Sequence, residues 1–379
     1  MKFCVHCGTQ LQDDAQFCGN CGQSCSPQAE TKSAPVNNDE SLMDKLTGTV
    51  NRFAGGSGKV RPPLRKLFSK IFVSHTRQES EEIFVCGTAT TTPKLSMADT
   101  AWPQPWLFSR IFLAFAVAFA MLHFCCVTFE NLNTYPGTII LGSFLMPIAV
   151  FVFFFELNTP RNVSFFNTIK IFLVGGCASL LFTLLLFEFV EVEELDYWGA
   201  ILVGVVEEIG KLAIVAFFIY QEKDAKYAVN GLLIGAAVGA GFAAFESAGY
   251  AFRILLGGGY DAMIDNIMLR AVLAPGGHVV WAAMSGYGLM LAKGDKPFTS
   301  SCFTNAAFLR VFWMPVAMHS VWDMPIDLDT DIPLIQIGLC VLAWIVILVM
   351  INNCLEQIGK ILIQQAQDGV QEDGLHVNT

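Results

Sequence analysis

From residue 107 onward, apolar residues come in long runs separated by short polar segments. The runs cover roughly 107–127, 138–155, 169–190, 198–220, 228–252, 264–291, 305–322 and 332–351. Each is close to the length a helix needs to cross a hydrocarbon core of about 30 Å. The pattern predicts an all-α polytopic membrane protein with about eight transmembrane helices. The first residues of the chain are polar and cysteine-rich, so the first apolar run is expected to act as an uncleaved insertion signal. Composition agrees: 54% of the 379 residues are hydrophobic, 32 are Phe, and only 15% are charged.

Charge sorts the segments between the runs into two sets. Arg161 and Lys170, Lys223 and Lys226, and Lys293 and Lys296 fall in alternate loops. The other loops are acidic, with Glu130, then Glu188 to Asp196, then Asp261 and Asp265, then Asp327, Asp329 and Asp331. The positive-inside rule puts the basic loops and both termini in the cytoplasm, with Arg253 and Arg270 as the exceptions. A multi-pass membrane protein follows; a prokaryotic cell or inner membrane is what the resemblances given below imply. The net charge of -10 is spread unevenly and says little about partners.

Ahead of the runs, Cys4-Val5-His6-Cys7-Gly8 and Cys18-Gly19-Asn20-Cys21-Gly22 form two CxxC pairs, each followed by glycine. Four thiolates on two tight knuckles match a closed, structural Zn²⁺ site; the alternative is a pair of disulfides. Cytoplasmic placement in a reducing compartment favours zinc. The segment resembles the small zinc-ribbon modules at the N-termini of many prokaryotic membrane proteins. With one Lys and no Arg in residues 1–23, nucleic acid is an unlikely partner. Docking of a cytoplasmic protein or regulation fits the ribbon better. Residues 24–81 read as a flexible and basic juxtamembrane linker, whose 42–77 stretch can lie on an anionic leaflet or serve as a solvated tether. Residues 82–351 form the polytopic domain, and 352–379 a cytoplasmic tail with a short amphipathic helix.

Four successive runs carry groups that lipid does not tolerate. Glu207, Glu208 and Lys211 lie on two turns of the fourth run. A charge at the bilayer centre costs roughly 2.5–3.5 kcal/mol on insertion scales, so such residues mark function by default. An internal Glu207–Lys211 pair at i,i+4 accounts for only one of the two glutamates. The fifth run has Gly231, Gly235 and Gly239 at packing spacing and ends in Gly241-Phe242-Ala243-Ala244-Phe245-Glu246. Glu246 can also serve as the counter-ion of Arg270. In the sixth, Pro275-Gly276-Gly277 should break the helix just before His278. The seventh places His319 and Asp323 on one face. At 1.5 Å per residue, Glu207 lies roughly 14 Å and Glu246 roughly 9 Å from the outer surface, so the groups should meet in the outer half of the bilayer.

A carboxylate beside histidines in a wet cavity suits water activation and acyl hydrolysis. Ser247 and Ser285 lack a nucleophile elbow, and there is no phosphate-binding loop and no HExxH. His278, His319 and Glu246 can also hold a catalytic Zn²⁺. EExxK at Glu207–Lys211, GFxxFE ending at Glu246, His278, and HxxWD at His319–Asp323 resemble the PrsW family of intramembrane proteases, relatives of CAAX prenyl proteases and bacterial Abi proteins. The resemblance covers about residues 82–351. It implies an endopeptidase, glutamate-type or metal-dependent, that cuts a membrane-bound substrate such as an anti-sigma factor near its extracytoplasmic side. By resemblance Glu207, Glu208, Glu246, His278 and His319 are catalytic. In the reading of the residues, Lys211 and Asp323 support them, and His319 holds the oxyanion. Two other readings fit the same residues: a proton-coupled transporter or channel, and a non-catalytic membrane scaffold.

Overall fold

A computed structural model of the chain describes residues 2–3, 10–11, 41–330 and 332–376. The chain divides into two units, Met1–Leu42 and Met43–Thr379. In the first, strands β1 (Lys2–Phe3) and β2 (Gln10–Leu11) pair antiparallel, Lys2 opposite Leu11. The pair brackets the first CxxC. The four cysteines Cys4, Cys7, Cys18 and Cys21, and also Asp331, lie outside the described residues.

The second unit is helical throughout its described residues. It opens with α1 (Leu42–Phe53), α2 (Leu64–Leu67) and α3 (Arg77–Val85). A flexible linker was expected through residue 81, but from residue 42 this stretch is folded onto the main core. Val50, Ala54, Val60 and Leu67 are buried in that core. Asp44 is buried and takes a two-pronged ion pair from Arg61, at 2.9 and 2.6 Å. The Tyr287 hydroxyl donates to Ala54 O at 2.8 Å. Of the apolar residues at helical spacing in the basic stretch, Leu67 is buried in this core, while Leu64, Phe68 and Phe72 stay exposed.

The apolar runs become α4 (Leu107–Phe129), α5 (Tyr135–Leu157), α6 (Phe165–Lys170) running through a π-turn into α7 (Gly176–Phe187), and α8 (Tyr197–Gln221). Then follow α9 (Ala228–Leu273), α10 (His278–Lys293), α11 (Ala306–Asp323) and α12 (Leu334–His376). Five helical stretches among the described residues are long and apolar enough to cross a membrane: Leu107–Phe129, Leu132–Leu157, Phe165–Phe187, Ala228–Lys293 and Leu334–Asp368. The helices α8 and α11, which carry Glu207, Glu208, Lys211, His319 and Asp323, fall outside that set. No boundary appears at residue 351, because α12 continues through it with Cys354, Leu355 and Ile358 buried.

Two features of α9 position the site. At Gly259 the backbone turns out of the helix with φ +83°, a left-handed value that favours glycine, and the remaining part, 260–273, folds back. The glycine stripe then sets how near α10 can come. A Cβ on Gly231, Gly235 or Gly239 would run into the carbonyls of Gly286, Ala282 and His278. Small residues let the two backbones touch along three turns, and the last of these contacts is the first residue of α10.

A neutral polar knot fixes the opposite end of α9. Asn230, fully buried, donates to Asn158 Oδ1 (2.9 Å) and Asn162 Oδ1 (2.8 Å). Its own Oδ1 accepts from Asn162 and from the backbone of Lys226 and Tyr227, each at 3.0 Å. Glu156, near the end of α5, accepts from the backbone N–H groups of Trp106, Leu107 and Phe108 at 2.8–2.9 Å, closing the N-terminus of α4.

Candidate active site

The ionisable residues of α8, α9, α10 and α11 converge into one buried cluster. On α8, Glu207, Glu208 and Lys211 share a face. Lys211 Nζ lies 2.6 Å from Glu208 Oε1 and 3.8 Å from Glu207 Oε2. The close pair is therefore i,i+3, not the i,i+4 pair the spacing suggested. His319, from α11, makes the choice: its Nδ1 lies 2.8 Å from the same Glu208 Oε1. Glu208 is fully buried between two cationic groups, and Lys211 is 1% exposed. Lys211 also sits 4.6 Å above the Phe242 ring, which adds a cation–π contact.

On α10, the helix breaks as its sequence requires. A 3₁₀ turn over Ala274–Gly276 delivers His278 as the first residue of the helix. His278 Nδ1 is 2.8 Å from Lys211 Nζ, and its Nε2 is 3.2 Å from Glu246 Oε2. A lysine ammonium donates only, so Nδ1 accepts, and the ring proton sits on Nε2 facing Glu246. Glu246 also pairs with Arg270, whose Nε donates to Ser247 Oγ at 2.8 Å. Arg270 joins as the counter-ion of Glu246 without removing that carboxylate from the cluster.

His319 has carboxylates on both sides. Beyond Glu208 at Nδ1, its Nε2 lies 3.4 Å from Asp323 and 3.6 Å from Glu207. Its hydrogen bond is the one at Nδ1, while Nε2 faces the two further carboxylates at ion-pair distance. Asp323 is where a positioning residue was expected. The oxyanion role expected of His319 would fall to this Nε2.

Four carboxylates thus face Lys211, Arg270 and His319, so even a charged His319 leaves one negative charge uncompensated. Glu207 carries it. Its Oε2 is buried and has no hydrogen-bond partner, while the side chain keeps 12% of its surface exposed. A metal would meet a suitable donor set here. Glu207, His278 and His319 offer atoms that all lie within 4.8 Å of one another. Two histidines and a carboxylate suit zinc, and the unpartnered Oε2 is a free donor. This set replaces the expected one: Glu246 is taken up by Arg270 and His278. To ligate, His278 and His319 must each release a contact described above.

Two residues of the site carry no motif signal. Trp281 stands one turn after His278, 1% exposed, with its ring 4.6 Å from that of His319 and 5.2 Å from that of His278. Asn266 lies on the returning part of α9. Both line a cavity of about 300 Å³ that reaches His278. A tryptophan three residues past a buried histidine was the one usable hint, since a buried indole N–H needs a partner.

Comparison with known proteins covers this region and the N-terminus. Residues 164–351 match the model of the PrsW family intramembrane metalloproteases, and residues 3–24 match a zinc-ribbon domain. Relatives named Protease PrsW include one from Halalkalibacterium halodurans, 25% identical over 181 residues, covering 46% of this chain and 77% of the relative. Another, from Oceanobacillus iheyensis, is 22% identical over 222 residues, covering 57% of this chain and 96% of the relative. A third, from Shouchella clausii, is 24% identical over 189 residues, covering 49% of this chain and 82% of the relative. No solved structure matches the chain at a significant level. All four site helices fall inside the matched region.

Proposed function

We propose that this chain, whose residues 164–351 form a PrsW-family intramembrane protease domain, cuts a single-pass membrane substrate with a water activated by Glu207. The observation that carries the assignment is the division of labour between the paired glutamates. Glu208 Oε1 is held by Lys211 and His319 at 2.6 and 2.8 Å, and a carboxylate neutralised twice is a weak base. The Oε2 atoms of both glutamates lack a hydrogen bond, but only the Glu207 side chain keeps partial access, 12% exposed against none for Glu208. Glu207 is free to take the proton of a water and later to pass it to the departing amine. Glu208, Lys211 and His319 fix the orientation of the α8 turn that presents it. Glu246, paired with Arg270, sets the tautomer of His278.

The family description names metal chemistry. A divalent ion held by Glu207, His278 and His319 would supply a more acidic bound water and polarise the substrate carbonyl. In the N-terminal unit, Cys4, Cys7, Cys18 and Cys21 hold a structural zinc in this reading. The loop charges put both termini in the cytoplasm and the cut on the extracytoplasmic side of a substrate of anti-sigma-factor type.

Purified full-length protein in liposomes, given a labelled single-pass substrate, tests the reading. Glu207→Gln should lose at least about 10³-fold in kcat while melting like the wild type. Cleavage at the wild-type rate by Glu207→Gln would overturn the assignment. Product termini mapped to the cytoplasmic end would refute the geometry. Loss of activity on chelation, restored by zinc, would assign the ion; cleavage indifferent to chelator would leave the metal-free glutamate route.

A further inference from the structure

The cavity beside His278 is bounded by the returning part of α9 and the facing ends of α10, α11 and α12. His278, Trp281, Asn266, Arg270, Trp322 and Gln336 contribute to its wall. Two polar atoms among these residues are buried with no partner: the donor Nε1 of Trp281 and the acceptor Oδ1 of Asn266. Native interiors leave few such atoms, and each calls for an explanation. Here the donor and the acceptor belong to two residues of the wall of one cavity, which reaches His278 of the catalytic cluster. Several other donors nearby are engaged. Gln336 Nε2 donates to Trp322 O at 3.1 Å, Arg270 is bound to Glu246 and Ser247, and both nitrogens of His319 face carboxylates.

A peptide bond becomes open to attack inside a membrane only after its segment leaves the helix. Its carbonyl and N–H then have no water and no helical partner. A cleft receiving it must offer one donor and one acceptor close to the activated water. We infer that this cavity seats the unwound substrate, that Trp281 Nε1 donates to the oxygen of the scissile carbonyl, and that Asn266 Oδ1 accepts from a neighbouring substrate N–H. The inference rests on the hydrolytic reading of the Glu207 site. In the step itself, water loses a proton to Glu207 and forms a C–O bond to the carbonyl carbon. The carbonyl π pair moves onto oxygen, where the indole N–H meets it. As the C–N bond breaks, that pair returns to re-form C=O, and Glu207 delivers the proton to the leaving nitrogen. An indole is a donor that cannot ionise, so it stabilises the oxyanion without competing for the proton.

The test compares wild type, Trp281→Phe, Asn266→Leu and Glu207→Gln in the same liposome assay. Trp281→Phe keeps a ring against His319 but removes the N–H. It should lower kcat by about 10²–10³-fold with KM within about twofold. Asn266→Leu should instead raise KM by about fivefold to tenfold with kcat nearly intact. A packing role for Trp281 would lower the melting temperature and affect both constants together. Should Trp281→Phe fail to fold, replacing the indole by the isosteric benzothiophene removes only the donor and carries the same expectation. If Glu207→Gln is dead while both donor-free proteins turn over within about threefold of wild type, the inference falls and the reading of the site stands. If all the variants cleave fully, both fall.

Discussion

Two buried polar networks hang on α9, about 24 Å apart along its axis at 1.5 Å per residue. Around Asn230 the groups are neutral, and nearly every donor meets an acceptor; only the Asn158 amide is left over. Around Glu246 and the α8 glutamates the groups are charged, and the network stays open: Glu207 Oε2, Glu208 Oε2, Trp281 Nε1 and Asn266 Oδ1 have no partner. The first network closes on itself and joins the end of α5, the loop after it and the start of α9. The second is closed at Glu208 Oε1, held by Lys211 and His319, and has open polar atoms around it. Each network has a fully buried member, Asn230 in the first and Glu208 in the second, so deep burial alone does not separate structure from catalysis here. Satisfaction does.

The sharpest way to break this contrast is Lys211→Met. It removes the cation 2.6 Å from a fully buried Glu208. Breaking a buried pair costs about 3–5 kcal/mol, and the cleavage rate should fall with it. Denaturant unfolding in detergent, run beside the activity assay, reads both; an unchanged midpoint would mean that Glu208 is not held as an ion. Asn230→Leu comes next. It leaves the partner amides of Asn158 and Asn162 unmet and should cost about 2–3 kcal/mol. Cleavage at a temperature where the variant remains folded should match the wild type. A lost rate at full folding would place this knot in the reaction and erase the distinction. The smallest effect belongs to Asn158→Ala, which removes one acceptor and a side-chain amide already without a partner. About 1 kcal/mol or less is expected, with no change in KM. A larger loss would show that the spare amide is satisfied in the membrane.

Much of this molecule is legible along the chain, and the limits have physical causes. The apolar runs report helices because lipid leaves the backbone no other partner. Pro275-Gly276-Gly277 predicts the break before His278, and the break is there. The glycine stripe at 231, 235 and 239 reports a close helix approach but not its partner, which is α10. Residues 42–77 read as tether or surface helix, because amphipathic spacing does not distinguish a lipid face from a protein face. The fifth run reads as ending near 252, yet its helix continues through Arg253-Ile254-Leu255-Leu256 to the turn at Gly259.

The sequence by itself determined the all-helical frame, the four helices that bear the charges, and the set Glu207, Glu208, Lys211, Glu246, His278 and His319. Those follow from hydropathy and spacing, which are local. Only the tertiary structure decided which glutamate is neutralised. Residues i+3 and i+4 stand on the same helix face, so Lys211 is within reach of both Glu207 and Glu208. The approach of His319 from α11 adds a second donor to Glu208 and settles the pairing. The free Oε2 of Glu207, and the open donor on Trp281, exist only because four helices meet, and no periodicity along one of them records that meeting.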